Sequence, residues 1–172
     1  FYLDEITRDA RGAERIANKH LGGSMHLGIT TQIIPRAKIV WCRRNPMDNC
    51  LSCFMERLNP THVPYAADLG DLGFHYRTHD RLMEHWKEAL DVPILELHYE
   101  ELVDDLEGTA RKLIEFCGLA WDDACLAFHE VKRADATLSY DQVRRPIYRS
   151  SLNRAERFGA LLEPLRAALG AL

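Results

Sequence analysis

The sequence predicts an α/β domain built on a parallel sheet, and three observations carry that prediction. Two short aliphatic runs, Lys38-Ile-Val-Trp-Cys42 and Pro93-Ile-Leu-Glu-Leu-His98, have the length and composition of buried parallel strands. Helical stretches alternate with them, the order that winds helices onto both faces of a sheet. The chain has 172 residues, 47% hydrophobic and 28% charged, enough for one sizeable core and too few for two. Residues 1–172 are therefore expected to form a single domain.

Taken in order, Arg8 to Lys19 is expected to be a helix, and Met25 to Ile34 a second one stopped by Pro35. The first strand ends at Arg43-Arg44. Asn45 is a good N-cap, Pro46 suits the first helical position and Asp48 falls three residues after the cap, so a helix starts there. Met47, Cys50, Leu51, Phe54 and Leu58 form its apolar stripe, leaving Asn45, Asp48 and Ser52 on the polar face. Leu72, Tyr76, His79, Met83, Trp86 and Leu90 recur at three- and four-residue steps and mark a long amphipathic helix before the second strand. After that strand, Asp104 or Asp105 caps a helix through Cys117 that ends at Gly118, the preferred left-handed terminator.

From Val131 to Ser151 no periodicity is visible, and a structureless stretch of that length inside a domain is expected to be functional. Two strands are few for a stable sheet. Together with a first residue that is Phe1 rather than Met, this predicts an excerpt whose remaining strands lie upstream. The N-terminus shows no basic-then-apolar leader and the chain no membrane-length apolar run, so no membrane partner is expected.

The net charge of −4 argues against a general nucleic-acid binder, which needs a broad cationic surface. Its distribution is uneven. Lys132 to Arg157 holds seven cations against three acids, leaving 15 cations against 23 acids elsewhere. The five cysteines are odd in number and sit in apolar runs, which predicts reduced thiols and a cytoplasmic setting. Cys50 and Cys53 lack a second pair at ligand spacing, and His75 and His79 share a helix face without a third ligand, so no metal is expected.

The most informative stretch is Arg44-Asn-Pro-Met-Asp-Asn-Cys-Leu-Ser52. Arg44 stands just beyond the C-terminal end of a strand, where open α/β sheets bind their ligands. Ser52 follows nearly two turns later on the helix that begins at Pro46. A helix N-terminus and a guanidinium both favour a phosphate between them.

This run resembles the 3'-phosphate-binding segment of sulfotransferases that use 3'-phosphoadenosine 5'-phosphosulfate (PAPS), in which an Arg closes a strand and a Ser follows eight residues later. Further matches come in the same order. Leu97-His-Tyr-Glu-Glu-Leu-Val103 and Lys112-Leu-Ile-Glu-Phe-Cys-Gly-Leu119 resemble the family's second strand end and its following helix. Ser139-Tyr-Asp-Gln-Val-Arg-Arg-Pro-Ile-Tyr148 resembles the loop of tyrosylprotein-type and bacterial tetratricopeptide-linked members. The resemblance spans about Lys19 to Leu169. It implies a three-layer parallel sheet of the P-loop nucleotide-kinase-like sulfotransferase type, with the N-terminal strand and phosphate loop missing from this chain.

The resemblance also implies roles. Arg44 and Ser52 would hold the 3'-phosphate and Tyr99 the adenine side, while Ser139, Tyr140, Gln142, Val143, Arg144, Arg145, Pro146 and Tyr148 wrap the nucleotide. Arg154 stands where the family has a basic phosphate contact. Lys19 matches a lysine that reaches the bridging and sulfo oxygens, although Leu21 and Gly23 replace the Pro and Asn that usually follow it. Lys19 and Ser139 would be the catalytic pair of this chain, with PAPS as donor, PAP as product and no metal. In related enzymes the region from Pro60 to Tyr76 borders the acceptor, making Tyr65, His75 and Tyr76 candidates for contacts to a hydroxyl or phenol.

Sulfo transfer needs in-line attack and neutralisation of a leaving phosphate, which cations and oriented hydroxyls supply by preorganisation. In the family the base and the loop gripping the 5'-phosphosulfate lie upstream, so this chain is expected to show no turnover alone and to bind PAPS weakly. Two other readings stand beside this one: a P-loop-type nucleotide or sugar kinase, and a non-catalytic scaffold relative. A kinase would need a Walker lysine loop and an acidic strand end for magnesium, neither of which is visible in the sequence.

Overall fold

The computed structural model describes residues 2–8, 10, 12–56, 58–59, 61–130 and 145–170. Its sheet, among those residues, is the expected pair of parallel strands, β1 (Ile39–Arg43) and β2 (Ile94–His98). Ile39 pairs with Ile94 and Arg43 with His98. Period-two alternation puts Trp41, Arg43 and Glu96 on one face and Val40, Cys42, Leu95 and Leu97 on the other. The first face meets helix α4 (Leu69–Ala89), whose Asp80 and Lys87 bond Arg43 and Glu96.

Local signals set most boundaries. Helix α3 (Pro46–Met55) opens as expected, with Asn45 Oδ1 accepting the Asp48 N–H at 3.2 Å. Helix α4 is capped by Asp68, which accepts from the N–H groups of Gly70 and Asp71. Short α5 (Tyr99–Asp104) leads to α6 (Leu106–Cys117), capped by Asp105 and ended by Gly118 at φ 71°. Before β1, a 3-10 turn (Gly23–His26) runs into α2 (Leu27–Ile33). Trp86 Nε1 donates to the Ser24 carbonyl at 2.7 Å, fastening the 3-10 turn to α4.

The expected helix from Arg8 to Lys19 is not formed. The chain is helical earlier, in α1 (Tyr2–Thr7), and no described residue between Arg8 and Lys19 is helical. Gly12 at φ 80° breaks the run. Beyond it the segment is held by a distant partner, Arg15 Nε donating to the Cys117 carbonyl at 2.9 Å. Lys38 reaches the Phe116 carbonyl at the same helix end. Two cations thus answer the orphan carbonyls of α6.

The C-terminal region is helical and packs back onto the core. A 3-10 segment, Arg154–Leu162, breaks at Gly159 and continues into α7 (Glu163–Leu169). Leu165 and Leu169 of α7 join Cys50, Leu72 and Ala66 in the core. Helices α4 and α7 cross so closely that a Cβ on Gly73 would lie 2.6 Å from the Ala168 Cβ. A second cluster gathers Leu51, Ala155 and Leu162. Helix α3 is therefore packed between α4 and the returning C-terminal chain. Two details of its expected stripe fail: Phe54 is exposed, and Leu58 lies past the helix end although it still packs on the core. Among the described residues no helix is long and apolar enough to cross a membrane.

Candidate functional site: the strand-end corner at Arg44

Because β1 and β2 are parallel and in register through Arg43 and His98, the next residue of each, Arg44 and Tyr99, emerges at the same sheet edge. The Arg44 guanidinium carbon lies 5.0 Å from the centre of the Tyr99 ring, within cation–π range. The backbone around them is bonded in place. Glu100 accepts the Asn45 N–H at 2.8 Å, and the Tyr76 hydroxyl donates to the Arg44 carbonyl at 3.2 Å. Arg44 Nη2 donates to the Ser151 carbonyl at 2.6 Å.

Among the described residues Arg44 has no acidic partner. No carboxylate among the described residues lies within ion-pair distance of it, and its Nε is buried without a hydrogen-bond partner. Buried polar groups are nearly always satisfied, so an orphaned cationic donor is what a bound anion would complete. Ser52, two turns along α3, is half-buried. Its neighbour Cys53 has a thiol pushed up by burial, an effect partly offset by the nearby charge of Arg44.

The chain returns to this corner after the cationic segment. Arg149 bonds Asp104 of α5, Ser151 receives Arg44, and Ala155 donates its N–H to Asp48 Oδ1 at 2.7 Å. Arg145 is exposed, as is Pro146, while Tyr148 and Arg154 are half-buried. Ser139, Tyr140, Gln142, Val143 and Arg144 lie outside the described residues, so only the trailing flank of the expected nucleotide loop is placed. Lys19 is exposed in the irregular segment before Gly22, and among the described residues no contact joins it to Arg44 or Tyr99.

The acceptor candidates gather on α4 and the 3-10 turn Pro64–Ala67. Tyr65 and His75 stack face to face, ring centres 3.6 Å apart and planes 12° apart. Burial, then the neighbouring His79, holds the His75 imidazole below its ordinary value. Tyr76 links this face to the corner through the Arg44 carbonyl. His79 meets Trp41 edge-on, with ring centres 6.4 Å apart.

The helical spacing puts Asp48 on the polar face of α3 with Asn45 and Ser52, and in the structure it is 2% exposed and tied to Ala155. The roles of Ser151 and Tyr76 at the corner were missed, since both act across long sequence distances. One local signal was available. Asn153-Arg-Ala-Glu156 has the spacing of a capping box and marks the helical start that brings the chain back to α3.

The family model for the Sulfotransferase family matches residues 1–123, and the chain belongs to that family. An uncharacterized protein of Aquifex aeolicus is 32% identical over 167 residues, covering 96% of this chain and 22% of the relative. Protein-tyrosine sulfotransferase 1 of Danio rerio is 25% identical over 185 residues, 99% of this chain and 52% of the relative. Cytosolic sulfotransferase 14 of Arabidopsis thaliana is 30% identical over 101 residues, 52% of this chain and 29% of the relative. The chain thus spans between about a fifth and about half the length of these relatives.

Proposed function

We propose that this chain is the donor-binding, C-terminal portion of a sulfotransferase catalytic domain with a P-loop-like sheet, and that the complete domain moves a sulfo group from PAPS to an acceptor hydroxyl or phenol. One observation carries the reading. Arg44 emerges at the carboxyl end of a parallel strand with a buried, unpartnered Nε and no carboxylate at ion-pair distance among the described residues.

Each residue then has a task. Arg44 and Ser52 hold the 3'-phosphate by charge-assisted and hydroxyl hydrogen bonds. Tyr99 borders the adenine, and its ring already carries the guanidinium on one side. The loop from Ser139 through Tyr148 covers the nucleotide, and Arg154 adds a cation toward its phosphates. Lys19 and Ser139 stabilise charge on the transferred group, with Lys19 moving in from its exposed segment. Fixed donors aimed at developing charge are the main means of lowering such a barrier without a metal. The 172 residues alone supply the nucleotide side of this chemistry and not the acceptor base, so turnover by the isolated chain would contradict the reading. All five cysteines are free thiols, which supports a reducing, cytoplasmic setting.

Calorimetric binding of PAP and of ATP to the complete protein, each with and without Mg²⁺, tests this directly. PAP should bind without metal and about tenfold or more tighter than ATP, the ratio expected from one additional charge-assisted contact. Metal-dependent binding of ATP in preference to PAP would point instead to phosphoryl transfer.

A further inference from the structure

Asp48 is a carboxylate buried to 2% exposure among Cys50, Leu51 and Ala155. Burying such a group is unfavourable unless it is hydrogen-bonded. Its Oδ1 accepts the N–H of Ala155, 107 residues further on, at 2.7 Å. Ala155 is the second residue of the 3-10 segment Arg154–Leu162, and the local N-cap residue Asn153 makes no side-chain cap there. Asp48 caps that segment from another helix. A carboxylate in this place satisfies an orphan N–H and faces the positive end of the peptide dipoles.

A second tie runs beside the first. Arg44, four residues before Asp48, bonds the Ser151 carbonyl, again 107 residues away. The equal offset means that 44–48 and 151–155 lie side by side and are bolted at both ends. Between the bolts stands Asn153 at φ 53°, the one non-glycine residue with positive φ among the described residues. A left-handed asparagine persists where its surroundings impose the conformation.

We propose that Asp48 is a positioning residue for the nucleotide's 3'-phosphate, a role that rests on the PAPS reading above. By holding the 151–155 strap, it keeps the Ser151 carbonyl on Arg44 Nη2. The guanidinium is thereby oriented with Nε left for the anion, and the backbone from which Arg154 projects is fixed. Asp48 itself does not touch the ligand. Its removal frees the Ala155 N–H, relaxes Asn153 and lets the Ser151 carbonyl leave Arg44.

The test compares two ligands that differ by the 3'-phosphate alone, PAP and adenosine 5'-phosphate, titrated into the complete protein. Asp48→Ala should weaken PAP about tenfold while leaving adenosine 5'-phosphate within about twofold, the size of one lost charge-assisted contact. Asp48→Asn keeps an oxygen acceptor and should restore most of the PAP affinity. If Asp48→Ala does not fold, Asp48→Glu, which displaces the carboxylate by a methylene, should show the same selective loss. Arg77→Ala removes a bond from α4 to the Ala168 carbonyl and should lower stability without changing the ratio of the two affinities. A parent protein that prefers PAP while the Asp48 variants keep its ratio overturns the positioning role alone. A parent with no preference for PAP overturns the nucleotide reading as well.

Discussion

Arg43 and Arg44 are adjacent and carry the same group, yet they end in opposite electrostatic surroundings. Arg43 lies on the α4 face of the sheet, 2.7 Å from Asp80, 2.9 Å from Glu96 and 3.6 Å from Glu84, with its guanidinium carbon 4.2 Å from the Trp41 ring centre. Lys87 closes the network by bonding Glu84 and Glu96. Arg44, one residue further, has a carbonyl, a ring and an unpartnered Nε. A cation saturated by carboxylates stabilises a fold. One left, among the described residues, with a carbonyl and a ring has a donor that an anion could complete.

The largest effect expected from this contrast is on stability. Arg43→Ala strips the central cation from three carboxylates whose side chains are only partly exposed. The loss should be about 2 kcal/mol, between the values typical of exposed and of buried pairs. Denaturant unfolding would measure it, and PAP affinity should be little changed. An Arg43→Ala variant that unfolds like the parent but loses PAP would reverse the assignment of the two arginines.

Smaller effects sharpen the comparison through pH. Burial above all, with a contribution from Arg43, holds the His79 imidazole below its ordinary value of 6.5, although Asp80 opposes this. A depressed imidazole is protonated more readily in the unfolded chain, so its stabilisation is present above pH 6.5 and is lost as pH falls toward the folded value. Hydrogen bonds, from Lys87 first and then Arg43, hold Glu96 below its ordinary 4.5. That contribution is present above 4.5 and is lost as pH falls through the folded value. Unfolding free energy should therefore decline on acidification in two limbs of at most about 1 kcal/mol each. His79→Gln should flatten the upper limb and Glu96→Gln the lower, both read from denaturant midpoints across pH.

What was legible in the sequence was local. Asn45 before Pro46, Asp105 before Leu106 and Gly118 after Cys117 each act on backbone groups within a few residues; Asn45 and Gly118 fall where the sequence put them, and Asp105 is the one of the two expected caps, Asp104 or Asp105, that the fold uses. The two strands were legible because buried parallel strands need unbroken apolar runs. Arg8 to Lys19 misled because Gly12 adopts a positive φ and Arg15 is held by a carbonyl 102 residues away. Asp48 was legible only in part, for a related reason. Its place three after an N-cap is a local signal, whereas its burial comes from a chain segment that returns 107 residues later. At the candidate site, Arg44 and its strand-end position were readable. The Ser151, Tyr76 and Asp48 contacts that fix the corner were not, since pattern reading does not reach across such separations.

The most direct measurement is the affinity of the complete protein for PAP in Arg44→Ala and Ser52→Ala, with Arg43→Ala as the structural counterpart. Arg44→Ala should lose about 2 kcal/mol, roughly thirtyfold, with an unfolding midpoint close to the parent's, and Ser52→Ala should lose affinity in the same direction. Unchanged PAP affinity in both would show that the Arg44 guanidinium at the end of β1 is not where the donor's 3'-phosphate binds.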